Sequence, residues 1–155
     1  NIPIVSLVDE PGFLIGPEAE KEGTILHGTQ AVLACTESTV PWTTVMIRKS
    51  FGVAAAAHYG PDGYVLAWPS SESGPLPLEG GVAVAFKKEI AEAEDPEKKR
   101  KELEAKMAKN QNPFPRAEAF SVHEIIDPRE TRKYISLWAE RIQQQLKASL
   151  IKRLS

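Results

Sequence analysis

Residues 43–57 set the terms for the rest of the chain. Thr43-Thr44-Val45-Met46-Ile47 is rich in β-branched residues and follows Pro41, the pattern of a buried strand. Arg48-Lys49 and Ser50-Phe51-Gly52 then supply a charged pair and a turn, and Ala54-Ala55-Ala56-Ala57 repeats the best helix former. The order is strand, glycine turn, helix. The first N–H groups of a helix have no partner inside it and lie at the positive end of its dipole. Such a turn presents backbone donors to an anion or a developing oxyanion. Taken alone, the local pattern favours the plainer reading, a glycine turn in an ordinary α/β domain.

The flanking segments extend that reading. Ile4–Val8 is apolar on both faces, as a covered parallel strand would be. Pro11-Gly12 marks a loop, and Pro17 with Glu18, Glu20 and Glu22 opens a helix that runs to about Cys35, interrupted only by Gly23 and Gly28, either of which can mark close packing. The His58-Tyr59-Gly60-Pro61-Asp62-Gly63 cluster is a turn, and Tyr64–Trp68 a third strand. Strand–helix alternation argues for a layered α/β fold. Residues 70–77 read as loop; after Gly80-Gly81 the alternation over Val82–Phe86 allows a strand, and Val82, Phe86 and Ile90 at i, i+4, i+8 also allow a helix. Asp95-Pro96 is an N-cap with proline at N1, and the charged helix after it carries Glu97/Lys101 and Glu102/Lys106 at i,i+4. Asp127-Pro128-Arg129-Glu130 resembles a capping box. It opens a long helix whose Ile135, Trp138, Ile142 and Leu146 share one face, expected to dock on this domain or a neighbour. The division expected is one domain over 1–155, with an α/β core at 1–94 and a mainly helical region at 95–155.

The side chains offer little chemistry. His27, His58 and His123 are scattered without ligand spacing, so no metal site is expected. No GxSxG elbow is present, and Gly80-Gly81 lacks the Lys-Ser/Thr of a phosphate loop. Cys35, the one cysteine, sits among Val32, Leu33 and Ala34 and reads as a buried, inert thiol in a reducing compartment. Lys+Arg 19 against Asp+Glu 21 gives no bulk attraction to nucleic acid or anionic membrane, and no apolar run is long enough to span a bilayer. Asn1 leads almost directly into an apolar strand with neither the basic region nor the cleavage site of a signal peptide, so a fragment, a processed product or one piece of a longer polypeptide is expected. Backbone N–H groups at the strand–turn–helix junction are what remains.

Four segments, in order, resemble the carboxyltransferase subunits of biotin-dependent acyl-CoA carboxylases. Arg48-Lys49-Ser50-Phe51-Gly52-Val53-Ala54 is similar to the family's Arg-Lys-x-Tyr-Gly-Gly-Ala, and Asp9 to Gly16 to its Asp-x-Pro-Gly-Phe-x-x-Gly. Ala67-Trp68-Pro69 matches its Ala-Trp-Pro, and Asp127 to Arg132 its terminal Asp-Pro-Arg-x-Thr-Arg. The resemblance covers the C-terminal part of such a subunit. It implies a crotonase-like (ClpP/crotonase) α/β fold, a spiral of ββα units with layered sheets and flanking helices. It implies that a carboxyl group passes from carboxybiotin, borne on a carrier protein, to the α-carbon of an acyl-CoA. Backbone amides of the turn would stabilise the biotin ureido oxygen as it gains charge. Those donors fall on Val53 and Ala54, with Gly52 making the turn, and Gly12, Phe13, Phe51 and Ala55 fall on the biotin-binding side. The implied partners are a CoA-binding half, biotin carboxylase and biotin carrier protein, in a homo- or hetero-oligomer of the cytoplasm (the mitochondrial matrix in a eukaryote).

Some positions depart from the pattern. Val53 stands where the family has glycine; it keeps the N–H but disfavours φ > 0. Phe51 replaces a tyrosine, and Pro77-Leu78 a Met-Gly. Two further readings stay open: a biotin-dependent decarboxylase or other crotonase-fold acyl-CoA enzyme, and a non-catalytic assembly subunit that keeps the fold.

Overall fold

The computed structural model describes residues 2–61 and 63–154. Strands β1 (Ile4–Glu10), β2 (Trp42–Phe51), β3 (Tyr64–Ala67), β4 (Glu72–Gly74) and β5 (Glu124–Ile125) form one parallel sheet. Its order is β1-β2-β3-β5, with β4 pairing β2 off that path. Every parallel pair needs a crossover, and helices supply most of them. Helices α1 (Pro17–Lys21) and α2 (Thr24–Thr36) link β1 to β2, and the short α3 (Gly52–Ala56) links β2 to β3. Helices α4 (Leu78–Ala85), α5 (Lys87–Ala91), α6 (Pro96–Gln111) and α7 (Pro113–Glu118) lead from β4 to β5. Last comes α8 (Thr131–Leu154), entered through a single 3-10 turn at Pro128–Glu130.

Alternation along the central strands sends neighbouring side chains to opposite faces. On one face Met46, Val65, Ala67 and Val122 cluster under Tyr59 and Ala117. On the other, Val45, Leu66 and Ile126 pack against Tyr134 and Ile135 of α8. Two buried hydroxyls of β2 find backbone acceptors: Thr43 Oγ1 donates to Tyr64 O at 2.9 Å and Thr44 Oγ1 to His58 O at 2.8 Å. The sheet is therefore covered on both sides at β2 and β3 but not at β1. Val5 is 40% and Leu7 56% exposed, which corrects the expectation that β1 is covered on both faces.

Other expectations are corrected locally. The first helix does not run through to Cys35: Gly23 adopts φ +73, a left-handed conformation open to glycine, and splits it into α1 and α2. β2 is longer than residues 43–47, continuing through Phe51, and the alanine helix is only five residues. Residues 70–77 hold the strand β4, and residues 113–118 the helix α7. Glu97 pairs with Lys101 at 3.4 Å as the spacing predicts, but Glu102 meets Lys99 at 3.6 Å rather than Lys106. Asp127 caps the Arg129 N–H at 2.9 Å, while Glu130 reaches forward to Lys133 rather than back, so the box is half formed. Asp95 caps α6 as expected, accepting from Lys98 N at 3.0 Å.

Candidate active site

A cleft of about 540 Å³ opens where β2 ends. Its walls come from four places: the loop after β1, Ile25 of α2, the β2–α3 turn, and residues 75–84 around the start of α4. Gly12, Phe13, Phe51, Gly52, Val53 and Ala54 all line it, so six of the seven residues expected in the site meet there. Ala55 does not line it and is 5% exposed, packed inward. Sequence reading missed Ile15, Ile25, Leu76 and Val84; Ile15 falls on a variable position of the first motif and the others lie outside the motifs, and an isolated aliphatic residue carries no local mark of facing a cleft.

The turn is built by one residue. Phe51 is extended at φ −122 and ψ 142, and Gly52 then takes φ +65 to enter α3. A side chain at Gly52 would be strained by that φ alone. Among the described residues the only non-glycine with positive φ is Phe120. Val53 is thus outside the left-handed region, and the turn places no strain on it. Its side chain is 63% exposed at the mouth of the cleft, while Ala54 is 3% exposed beneath it. As residues of the first turn of α3, both have N–H groups with no acceptor inside the helix.

Close approach fixes the opposite wall. Glu10 Oε1 accepts the Gly12 N–H at 2.9 Å, and Gly12 itself has φ +129. The Phe13 ring lies on α2 at Gly28, where an added Cβ would stand 2.2 Å from the ring. Gly81 likewise admits Leu76, whose Cβ would be 2.8 Å from a Cβ there. Glycine at positions 28 and 81 lets backbone and wall residues approach closely enough to shape the cleft.

The four sequence motifs pair off in space. Asp9, of the first, accepts Arg48 Nε on both oxygens at 3.0 Å and the Lys49 N–H at 3.2 Å, joining it to the turn motif. The Arg48 hydrogen bonds hold the Asp9 carboxyl below the ordinary carboxylate range. Trp68 Nε1, of the third, donates to Thr131 Oγ1 of the fourth at 2.9 Å. That bond pins the start of α8 to the end of β3. The Asp-Pro-Arg segment is structural: the Arg129 side chain, bonded to Asp127, lowers the Asp127 pKa to about 2.

Titratable groups lie elsewhere. Among the described residues that line the cleft, none carries an ionisable side chain or a hydroxyl. His58 Nδ1 bonds Ser6 Oγ at 3.2 Å, with Glu10 4.0 Å from its other nitrogen. Cys35 is 4% exposed and donates its thiol to Tyr59 O at 2.9 Å; burial raises its pKa, away from a reactive thiolate. Among its described lining residues the cleft offers chemistry through main-chain N–H and C=O groups, between apolar walls. That arrangement suits a flat, uncharged polar ring whose oxygen gains charge during reaction. The biotin ureido ring is such a group, so the residues present fit it.

Residues 1–154 match the Carboxyl transferase domain family. The methylmalonyl-CoA carboxyltransferase 12S subunit of Propionibacterium freudenreichii subsp. shermanii is 41% identical over 143 residues, 88% of this chain and 27% of that protein. The propionyl-CoA carboxylase carboxyltransferase subunit of Haloferax mediterranei is 39% identical over 137 residues, 85% of this chain and 26% of that protein. The crystal structure of transcarboxylase 12S, a hexamer with methylmalonyl-CoA and methylmalonic acid bound, superposes with a TM-score of 0.80 at 39% identity. The match covers 93% of this chain and 28% of that one. The chain therefore spans about a quarter of the length of the relatives it matches.

Proposed function

The chain belongs to the carboxyl transferase domain family, and on that footing we propose that it forms the biotin-side part of a biotin-dependent carboxyltransferase. It works on an acyl-CoA, with carboxybiotin as the other reactant. The carrying observation is the cleft whose described lining residues are all apolar or glycine and which ends on the Gly52–Val53–Ala54 turn. Bound biotin supplies the carboxyl group. Val53 and Ala54 would hold its ureido oxygen through their N–H groups, which are placed to stabilise negative charge there. Gly52 would aim them, Phe13 would border the ring, Phe51 at 1% exposure backs the turn from the core, and the apolar walls would exclude water, which strengthens the hydrogen bonds. Preorganised donors of this kind are worth about 2.7–4 kcal/mol each.

Two features support activity over a purely structural role. Val53 keeps its N–H at no backbone cost, and the turn opens onto the cleft rather than the core. The acyl-CoA half, a biotin carrier protein and biotin carboxylase complete the assembly, which is an oligomer. No helix among the described residues is long and apolar enough to cross a membrane. The buried free thiol fits work in the cytoplasm, or in the mitochondrial matrix of a eukaryote. The test is carboxyl transfer by this chain alone and after joining to a CoA-binding half from a relative. Transfer is expected only in the joined form. Full transfer by the 155-residue chain alone, or none in a correctly folded joined form, overturns the reading.

A further inference from the structure

The sheet is irregular at one place, beside the turn. Val8 opposes Met46 and Glu10 opposes Ser50, so Asp9 alone faces the three residues Ile47, Arg48 and Lys49 of β2. β2 changes partner at the same point on its other edge. Met46 pairs with Ala67 of β3, while Lys49 pairs with Glu72 of β4. Bulges bend a strand and re-aim the residues beyond them, and they recur beside active sites. Here the next residues after the bulge are Ser50, Phe51 and the Gly52 turn. Asp9 fills the irregular stretch with its side chain: one oxygen takes the Lys49 N–H at 3.2 Å, and the carboxylate grips Arg48, with Arg48 Nη2 3.0 Å from Oδ2. Three residues further on, Gly12 lines the opposite wall of the cleft. The carboxylate therefore ties the two walls together at a fixed spacing.

We propose that Asp9 is a positioning residue for carboxyl transfer. Through Arg48 and the Lys49 N–H it holds the β2 bulge that aims the Val53 and Ala54 donors, and it touches no substrate. The inference rests on the carboxyl-transfer reading of the cleft. The pair is largely exposed, with Arg48 67% and Asp9 38% accessible, so it adds little to stability. A misplacement of about 1 Å at a reacting centre can cost about a hundredfold in rate. Geometry and stability therefore separate in the test.

The experiment compares wild type, Asp9→Asn and Asp9→Ala in the joined enzyme. Asp9→Asn keeps an acceptor for the Lys49 N–H but loses the charge, so it should fall between the other two. In Asp9→Ala, kcat should fall about ten- to a hundredfold with KM for acyl-CoA unchanged. Melting should stay within about 2 °C of wild type. Hydrogen exchange at the Lys49 amide should quicken about tenfold, the loss of a hydrogen bond to a charged acceptor. Wild-type kcat in Asp9→Ala, or unchanged Lys49 exchange, overturns the proposal. So does a melting loss that tracks the kcat loss across both variants, which would make Asp9 a structural residue. Absence of transfer in wild type overturns the reading of the cleft and this inference with it. Transfer in wild type and Asp9→Ala alike overturns this inference alone.

Discussion

Trp138→Ala is the sharpest test of how α8 is held. Trp138 is 8% exposed on the α8 face that carries Ile135. Truncating a buried tryptophan costs about 3–5 kcal/mol. On one side Trp138 borders a cleft of about 580 Å³ shared with Trp42 and Leu137, so water can enter the space left behind. That puts the cost near ~3 kcal/mol, the low end for such truncations. A domain of this size loses about 2–4 °C per kcal/mol, giving a fall of about 6–12 °C. The control is Lys133→Ala, which removes a 62%-exposed ammonium from a 2.8 Å pair with Glu130. An exposed pair of that kind is worth about 0.5 kcal/mol, so melting should move by less than about 2 °C. Both variants are read by thermal unfolding followed by circular dichroism. A Trp138→Ala shift no larger than the control would refute the docking of α8 on the sheet.

Further outcomes are expected. Gly28→Ala should fail to stabilise: helix propensity alone offers about 1 kcal/mol, but the Phe13 clash costs about 1–3 kcal/mol. A rise in melting of about 2–4 °C, the full propensity gain, would show that the ring swings aside freely. Phe120→Gly should raise melting by about 1–4 °C, because relief of left-handed strain outweighs the added chain entropy. Phe120 sits at φ +57 and is 88% exposed, so no packing is lost, and unchanged or lower melting would contradict the strain. For Asp127 the folded pKa, about 2, lies below the unfolded one. Its stabilisation is therefore full above the ordinary carboxylate pKa of about 4 and lost as pH falls through the folded value. Wild type should lose melting temperature more steeply than Asp127→Asn between about pH 4 and pH 2, and parallel curves would remove Asp127 from the acid response.

The parts of this protein that could be read from sequence are those with short-range signals. Asp95-Pro96 announces α6 because capping is local, and the strand–turn–helix at the cleft follows from β-branched residues, glycine and alanine in order. Six of the seven expected site residues gather because their motifs flank the same strand ends. What escaped depends on distant partners. β4 is three residues, Glu-Ser-Gly, and is a strand only because the bulged end of β2 offers it an edge. By its prolines the stretch Asn110–Pro115 should only end the charged helix, yet Asn112 caps a new helix there by accepting from Phe114 N at 3.1 Å. The break at Gly23 is a φ choice that the letter glycine permits but does not dictate. Ala55 looked like a wall residue by its place just after the motif, but one helical step turns it into the core.

The central claim is that the turn acts through its main-chain donors. Replacing the Ala54 N–H with an ester oxygen, by incorporating the α-hydroxy analogue of alanine, deletes one donor and keeps the methyl group that is 3% exposed. Carboxyl transfer by the joined enzyme, with folding checked by circular dichroism, should fall on the order of a hundred- to a thousandfold in kcat. Val53→Gly, which retains its N–H, should leave transfer intact or raise it. Near-normal kcat in the folded ester variant would contradict the account and move the chemistry away from this turn.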